Sequence, residues 1–323
     1  MARSVHSLGF LGATAFLVVA VFSAAAQDEA PLVVKPRPAE RMSLAAKSLL
    51  LDVVRAGDGF VAVGDRGSIL LSADGKQWEQ ADVPVRAALT AVTFVDAQRG
   101  WAVGHDAAIV ATGDGGKTWS LQNFQPELEK PLLDVLFLDA SRGIAVGAYG
   151  LLLTTADGGK TWKEQDSPIR EEEVHFNALT RLANGSLFIA GESGMLAISS
   201  DQGRSWSKLR SPYDGTFFGV LPAGPNGVLV FGMRGNAYLS PNARGGWTKL
   251  QTHSVASMFG GTALPGGELA MVGLNGVIFI ADGSGKVRSL QTPSGTPLSA
   301  AIPLDGGLLA VGESGVQLLA SLQ

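Results

Sequence analysis

The 323-residue chain has no cysteine, so no disulfide staples it and its fold has to rest on a buried core. The same absence removes the thiol on which a bacterial lipoprotein carries its anchor. Charge is also scarce: Asp, Glu, Lys and Arg make up 17% of residues, the formal net charge is −4, and no basic run occurs, which argues against a nucleic-acid partner. There are four histidines, His6, His105, His175 and His253, and none has zinc-ligand spacing. No glycine-rich phosphate loop stands between a strand and a helix. The expectation is a protein with no metal and no other cofactor.

Glycine and apolar residues are plentiful. The chain has 42 glycines and is 46% hydrophobic, which without collagen spacing means many tight turns around an extensive core. One long apolar run lies at the N-terminus, "LGFLGATAFLVVAVFSAAA", preceded by Arg3 and His6 and ending in small residues. Ala24 and Ala26 fit the −3 and −1 positions of a cleavage site, so residues 1–26 read as a secretory signal peptide and 27–323 as the mature chain. The small-residue end favours cleavage over retention as an anchor. No other stretch is long and apolar enough to span a bilayer, so no membrane insertion is expected after cleavage. The expected location is the periplasm or another exported compartment.

A short apolar run ending in glycine recurs seven times: "FVAVG" (Gly64), "GWAVG" (Gly104), "GIAVG" (Gly147), "LFIAG" (Gly191), "VLVFG" (Gly232), "LAMVG" (Gly273) and "LLAVG" (Gly312). The spacing is about 41 residues, and three residues later another glycine follows in every copy but the second, which has Ala107. Each copy reads as four short β-branched or apolar strands parted by Gly and Asp turns. Four-stranded units at this period predict an all-β, seven-bladed β-propeller. The last copy stops after its third strand at "GVQLLASLQ". The Pro-flanked stretch Ala30–Pro38 is therefore expected to supply the missing outer strand and close the ring.

A second repeated element falls between the third and fourth strands: "SADGKQW" (Ser72–Trp78), "TGDGGKTW" (Thr112–Trp119), "TADGGKTW" (Thr155–Trp162) and "SSDQGRSW" (Ser199–Trp206). Copy five keeps only "ARGGW", and copy six has Val287 in place of Trp. These resemble the Asp-box, or BNR repeat, S/T-x-D-x-G-x-x-W. The expected roles are structural: Asp74, Asp114, Asp157 and Asp201 accept turn N–H groups, while Trp78, Trp119, Trp162 and Trp206 pack between blades. The longer shared pattern, from "VTFVDAQRGWAVG" and "VLFLDASRGIAVG" into the Asp-box, resembles the photosystem II assembly and stability factor family. That resemblance implies an exported seven-bladed propeller that binds a membrane or envelope protein and assists its assembly, stability or transport activity. In bacteria with no photosystem it implies envelope proteins, some of them associated with RND-type exporters.

An enzyme is not expected. The sialidase-type reading needs an arginine triad, a Tyr–Glu pair and the "R-I-P" signature; the signature is absent, and the only tyrosines are Tyr149, Tyr213 and Tyr238. A carbohydrate-binding or glycosidase propeller stays as the alternative. The acidic run Glu171–Glu173 beside His175 reads as a solvated loop. Arg99 and Arg142, in the "D-A-x-R-G" turns, read as turn-stabilising residues on the opposite face. Partner contacts are expected from the hairpin tips between strands two and three and from the three connections that read as longest, Gln122–Pro131, Gln165–Val174 and Leu209–Phe218. The residues are Asp65, Arg66, His105, Asp106, Phe124, Glu127, Tyr149, Ile169, Arg170, Glu172, Glu192, Tyr213 and Arg234.

Overall fold

The computed structural model describes Met1, residues 34–320 and Leu322. The signal-peptide expectation and residues 30–33 of the expected closing strand lie outside the described residues. From Pro36 onward the chain forms one compact unit built of seven antiparallel sheets, with no α-helix among the described residues. Among the described residues six sheets have four strands and the last has three.

The first strands of the seven blades are Leu50–Ala56, Leu89–Phe94, Leu132–Phe137, Phe176–Arg181, Phe217–Ala223, Met258–Ala263 and Leu298–Leu304. Each lies alongside the next, and the last lies alongside the first, so they enclose a central channel. The second strands, such as Gly100–Gly104 and Gly143–Gly147, are buried along their whole length because both faces of each sheet pack on neighbouring blades. This explains why they read as unbroken apolar runs rather than as alternating ones.

Val34–Pro38 is not in a strand, and the last sheet has no fourth strand among the described residues. The residues that follow run beside the outer edge of blade one instead. The N–H of Ala39 donates to the Val83 carbonyl (3.0 Å), the Gln80 side chain bridges the backbone of Glu40 and Met42, and Arg41 pairs with Asp82. The ring is drawn together by packing: Leu50, Val53, Phe60, Ala62 and Leu70 of blade one share a core with Ala300, Leu309 and Val311 of blade seven. Each apolar side chain removed from water there stabilises the junction at roughly 25 cal/mol per Å².

The Asp-boxes form the turns that the repeat predicts. In blade two the Thr112 hydroxyl donates to Asp114 Oδ1 (2.8 Å) and accepts the Gly116 N–H (2.9 Å). Asp114 accepts the Thr118 N–H at Oδ1 (3.0 Å) and the Thr118 hydroxyl at Oδ2 (2.6 Å). Blades three and four repeat the set with Asp157 and Thr161 and with Asp201 and Ser205. The hydroxyl donors at Thr118, Thr161 and Ser205, followed by their backbone N–H groups, hold these three carboxyls down at about 2. Asp74 is also lowered, chiefly by the Gln77 N–H. Trp119, Trp162, Trp206 and Trp247 each join the core shared with the preceding blade, and Trp78 packs at the blade seven–one junction.

Copy five retains more of the motif than its sequence reveals. Ser240 donates to Asn242 Oδ1, and that oxygen accepts the N–H groups of Arg244 and Gly245. Asn242 thus stands in for the aspartate. In the opposite-face turns Asp96 binds Arg99 Nε (2.7 Å) and Asp139 binds Arg142 Nε (2.8 Å), so both arginines close their own turns.

Candidate functional face and channel mouth

The face of interest is built by the hairpin tips and blade connections together. The tip backbones hydrogen-bond to the adjoining connections: Asp65 to Leu49, His105 to Ala88, Gly150 to Val174, Glu192 to His175, Met233 to Thr216 and Leu274 to Ser257. At each of the first six tips two consecutive residues take the left-handed conformation, a side-chain-bearing one first, namely Arg66, Asp106, Tyr149, Ser193, Arg234 and Asn275, followed by glycine or, in the second tip, Ala107. The hairpin geometry imposes this φ, and it lifts these residues to the crest of each tip.

Several expected contact residues stand at the surface. Arg66, His105, Glu127, Glu172 and Arg234 are exposed, and Tyr149 is 49% exposed. The Tyr149 ring meets His175 edge-on at 4.7 Å, and the His175 N–H donates to Glu192 Oε2 (3.2 Å). Glu172 pairs with Lys208, and Asp65 Oδ1 accepts the Arg66 N–H (2.8 Å).

Others turn inward. Ile169 is 3% exposed and sits in the core between blades three and four, so it cannot present itself to a partner. The short turn Pro168–Arg170 folds its segment back, and Arg170 locks it by donating to the Gly150 and Gln165 carbonyls (both 2.8 Å). Arg170 also pairs with Glu164. Phe124 packs against the core of blades one and two. Tyr213 stacks on Tyr238 and meets Phe217 edge-on. Both aromatics are half-buried, each resting on a core with part of its ring exposed. The connections also differ less than their sequences imply: Ala81–Ala88 and Leu250–Ser257 are as long as Phe124–Pro131, and only Gln165–His175 is longer.

The centre of this face is not legible in the sequence. In every blade the pairing of strands one and two skips a residue at the start of strand one. The skipped residues are Leu51, Thr90, Leu133, Asn177, Phe218, Phe259 and Ser299, and these same seven line a cavity of about 380 Å³ at the channel mouth. The cause lies in the glycine that marks each repeat. A Cβ at Gly64, Gly104 or Gly273 would stand 2.3, 2.0 or 2.0 Å from the carbonyl oxygen just ahead of strand one. Absence of a side chain lets the entering chain cross there, and the resulting bulge turns the next residue into the channel. The one sequence cue is an apolar doublet, such as Phe217–Phe218 or Met258–Phe259, where a strand opens. Val255, 84% exposed on a connection of the same face, is likewise not legible in the sequence.

Below the mouth lies a second chamber of about 330 Å³ that shares the seven-residue ring and adds Asp52 and Asp134 to its walls. Asp52 Oδ2 accepts the Val92 N–H of blade two (2.9 Å), and Asp134 Oδ2 accepts the Leu179 N–H of blade four (2.7 Å). Burial pushes the two carboxyls up, to about 6 and about 7, and the charge of Asp52 adds to the effect at Asp134. Thr90 donates to the Leu132 carbonyl (2.8 Å) and Asn177 to the Phe217 carbonyl (2.8 Å), so side chains staple first strands together from blade one to blade five.

Fold and face together define a seven-bladed Asp-box propeller. The family model of the photosynthesis system II assembly factor YCF48 matches residues 70–131 and 122–287, more than half of the sequence, and the chain belongs to that family. The photosystem II assembly protein Ycf48 of Thermosynechococcus vestitus is 39% identical over 46 residues, a match spanning 14% of this chain and 13% of that relative. A solved structure of YCF48 bound to D1 peptide superposes with a TM-score of 0.70 at 17% identity, covering 86% of this chain and 94% of that one. A streptogramin B lyase reaches a TM-score of 0.71 at 12% identity over 84% and 94% of the two chains, so the same fold also serves an enzyme.

Proposed function

We propose that this protein is a non-enzymatic, exported scaffold that docks on a membrane or envelope protein complex and assists its assembly, stability or transport activity. The observation that carries this reading is the rigid crown around the channel mouth. Six hairpin tips lift Arg66, Asp106, Tyr149, Ser193, Arg234 and Asn275 on one face, with the connections hydrogen-bonded behind them. A surface of varied residues on a repeated scaffold is suited to recognising a protein. Family membership supports the same reading, since a relative of this fold is solved with a peptide named D1 bound to it. The proposed setting is the periplasm, and an RND-type exporter is the proposed class of client.

The test is affinity capture of the tagged chain from detergent-solubilised envelope with mild crosslinking. A stoichiometric membrane protein is expected, with capture lost in a Tyr149→Ala/Arg234→Ala double variant and retained in an Arg99→Ala variant on the opposite face. Capture unaffected by the crown variant, or a blank after crosslinking, rejects the docking face.

A further inference from the structure

The two stacked chambers of the channel have opposite characters. The outer one is walled by the ring alone, where Leu51, Leu133, Phe218 and Phe259 outweigh the short polar groups of Thr90, Asn177 and Ser299. Phe218 and Phe259 lean together with ring centroids 5.5 Å apart and give one side of the mouth an aromatic wall. The inner chamber shares that ring but brings in two carboxylates, Asp52 from blade one and Asp134 from blade three. The equivalent positions of the other five first strands are Ala91, Ala178, Gly219, Gly260 and Ala300, none of them ionisable. Arg55 and Arg181 lie farther along their strands and do not line the chamber, and Arg55 rests over the Phe60 ring at 4.6 Å. Among the described residues neither Asp52 nor Asp134 forms an ion pair.

We propose that the channel is a binding site for an ammonium group carried on an apolar body, with the body held in the outer ring and the cation seated at Asp52 and Asp134. The complementarity is of both kinds: apolar surface meets apolar surface at the mouth, and the positive charge ends beside two carboxylates that the chain leaves without a cation. Each Oδ atom accepts one backbone N–H, as Asp52 does from Val53 and Val92 and Asp134 from Val135 and Leu179, which fixes the carboxylates and leaves a further lone pair on each oxygen. Two such groups held apart from any cation disfavour their own ionisation, and a bound ammonium relieves that cost. The aromatic wall adds attraction for a cation passing it. The combined volume, about 380 Å³ outside and about 330 Å³ within, is in the range of small-ligand cavities. The site is separate from the crown of hairpin tips, so it stands whether or not those tips dock a protein.

The test is calorimetric titration of the full chain with hexylammonium, with hexanol as the uncharged probe of the same length, at pH 5 and pH 8. At pH 8 hexylammonium is expected to bind at least tenfold more tightly than hexanol. At pH 5, with both carboxyls largely protonated, the advantage disappears on the unaltered chain. An Asp52→Asn/Asp134→Asn variant removes the advantage at pH 8 and spares hexanol binding, whereas Phe259→Ala weakens both probes. A doubly blocked Gly-Lys-Gly peptide identifies the source. Binding equal to hexylammonium means that the ammonium arrives on a partner's chain, and weaker binding means a free amine. Equal affinity for hexanol and hexylammonium at pH 8, or binding of neither, overturns the proposal.

Discussion

The two arcs of this ring solve one problem in different ways. From blade one to blade five, neighbouring first strands are joined by side chains: Asp52 to Val92, Thr90 to Leu132, Asp134 to Leu179 and Asn177 to Phe217. Among the described residues no such staple joins blades five, six, seven and one, and on blade six glycine allows close approach instead. Gly260 lies so close to blade seven that a Cβ would stand 2.2 Å from the Ser299 carbonyl, and one at Gly261 would stand 3.1 Å from Phe231 of blade five. The same division runs through the outer turns: blades one to four have full Asp-boxes, while blade five uses Asn242 and blade six keeps Asp282 without the tryptophan. Directional hydrogen bonds hold one arc together, and close packing of glycine backbone and apolar side chains holds the other.

The sharpest way to break this division is to remove an interblade tryptophan from the stapled arc. Trp119 is 7% exposed and donates to the Gly116 carbonyl (2.8 Å), so Trp119→Ala should cost about 3–5 kcal/mol in chemical denaturation. A loss below 1 kcal/mol would show that blade two does not depend on its box. On the glycine arc, Gly260→Ala forces backbone apart and should cost about 2–3 kcal/mol, whereas Gly283→Ala, with open space around its Cβ position, should be close to neutral. Similar costs at the two sites would remove the role assigned to close approach.

The carboxylates of the stapled arc predict a pH dependence. Asp52 and Asp134 have folded values of about 6 and about 7, above an unfolded value near 4, so their favourable contribution is full below about pH 4 and is lost as the pH rises through 6 to 7. Thermal unfolding should therefore show stability falling between pH 4 and pH 8, by on the order of 2 kcal/mol after discounting for partial exposure, and Asp52→Asn/Asp134→Asn should flatten that slope. The Asp-box carboxyls act in the opposite sense, their contribution being lost only as the pH falls from about 4 toward 2. The smallest effect concerns Ala107, which has φ +48 where the other tips place glycine in the left-handed region. Ala107→Gly should stabilise by about 0.5–1 kcal/mol, the relief of strain exceeding the added freedom of the unfolded chain. A destabilised variant would mean that the methyl group contributes packing worth more than that strain.

The sevenfold repeat was legible because glycine and the Asp-box recur at fixed places, and both report local necessities. Four Asp-box aspartates and their tryptophans could be assigned from spacing alone, although Asn242 escaped because its neighbours do not spell the motif. The face was less legible. Ile169 reads as a surface anchor on a long connection, yet it is buried in a core, and Phe124 and Tyr213 rest half-buried on theirs, since an apolar side chain in a loop packs where an adjacent blade offers it a wall. The expected closing strand drew on the count of strands in copy seven. The residues described after it follow blade one instead, where Gln80 and Asp82 supply polar partners.

By itself, then, the order of residues determined the number of blades, their strand order and the chemistry of their turns. These depend on contacts within one repeat, and a repeat carries its own pattern of apolar runs, glycine and aspartate. The channel was decided only in three dimensions. Its ring takes one residue from each of seven distant segments, and each is turned inward by a bulge that alternation along a single strand does not reveal. Asp52 and Asp134, 82 residues apart in the chain, line one low-dielectric chamber, where the charge of the first reaches the second, only when the first strands assemble side by side around the channel.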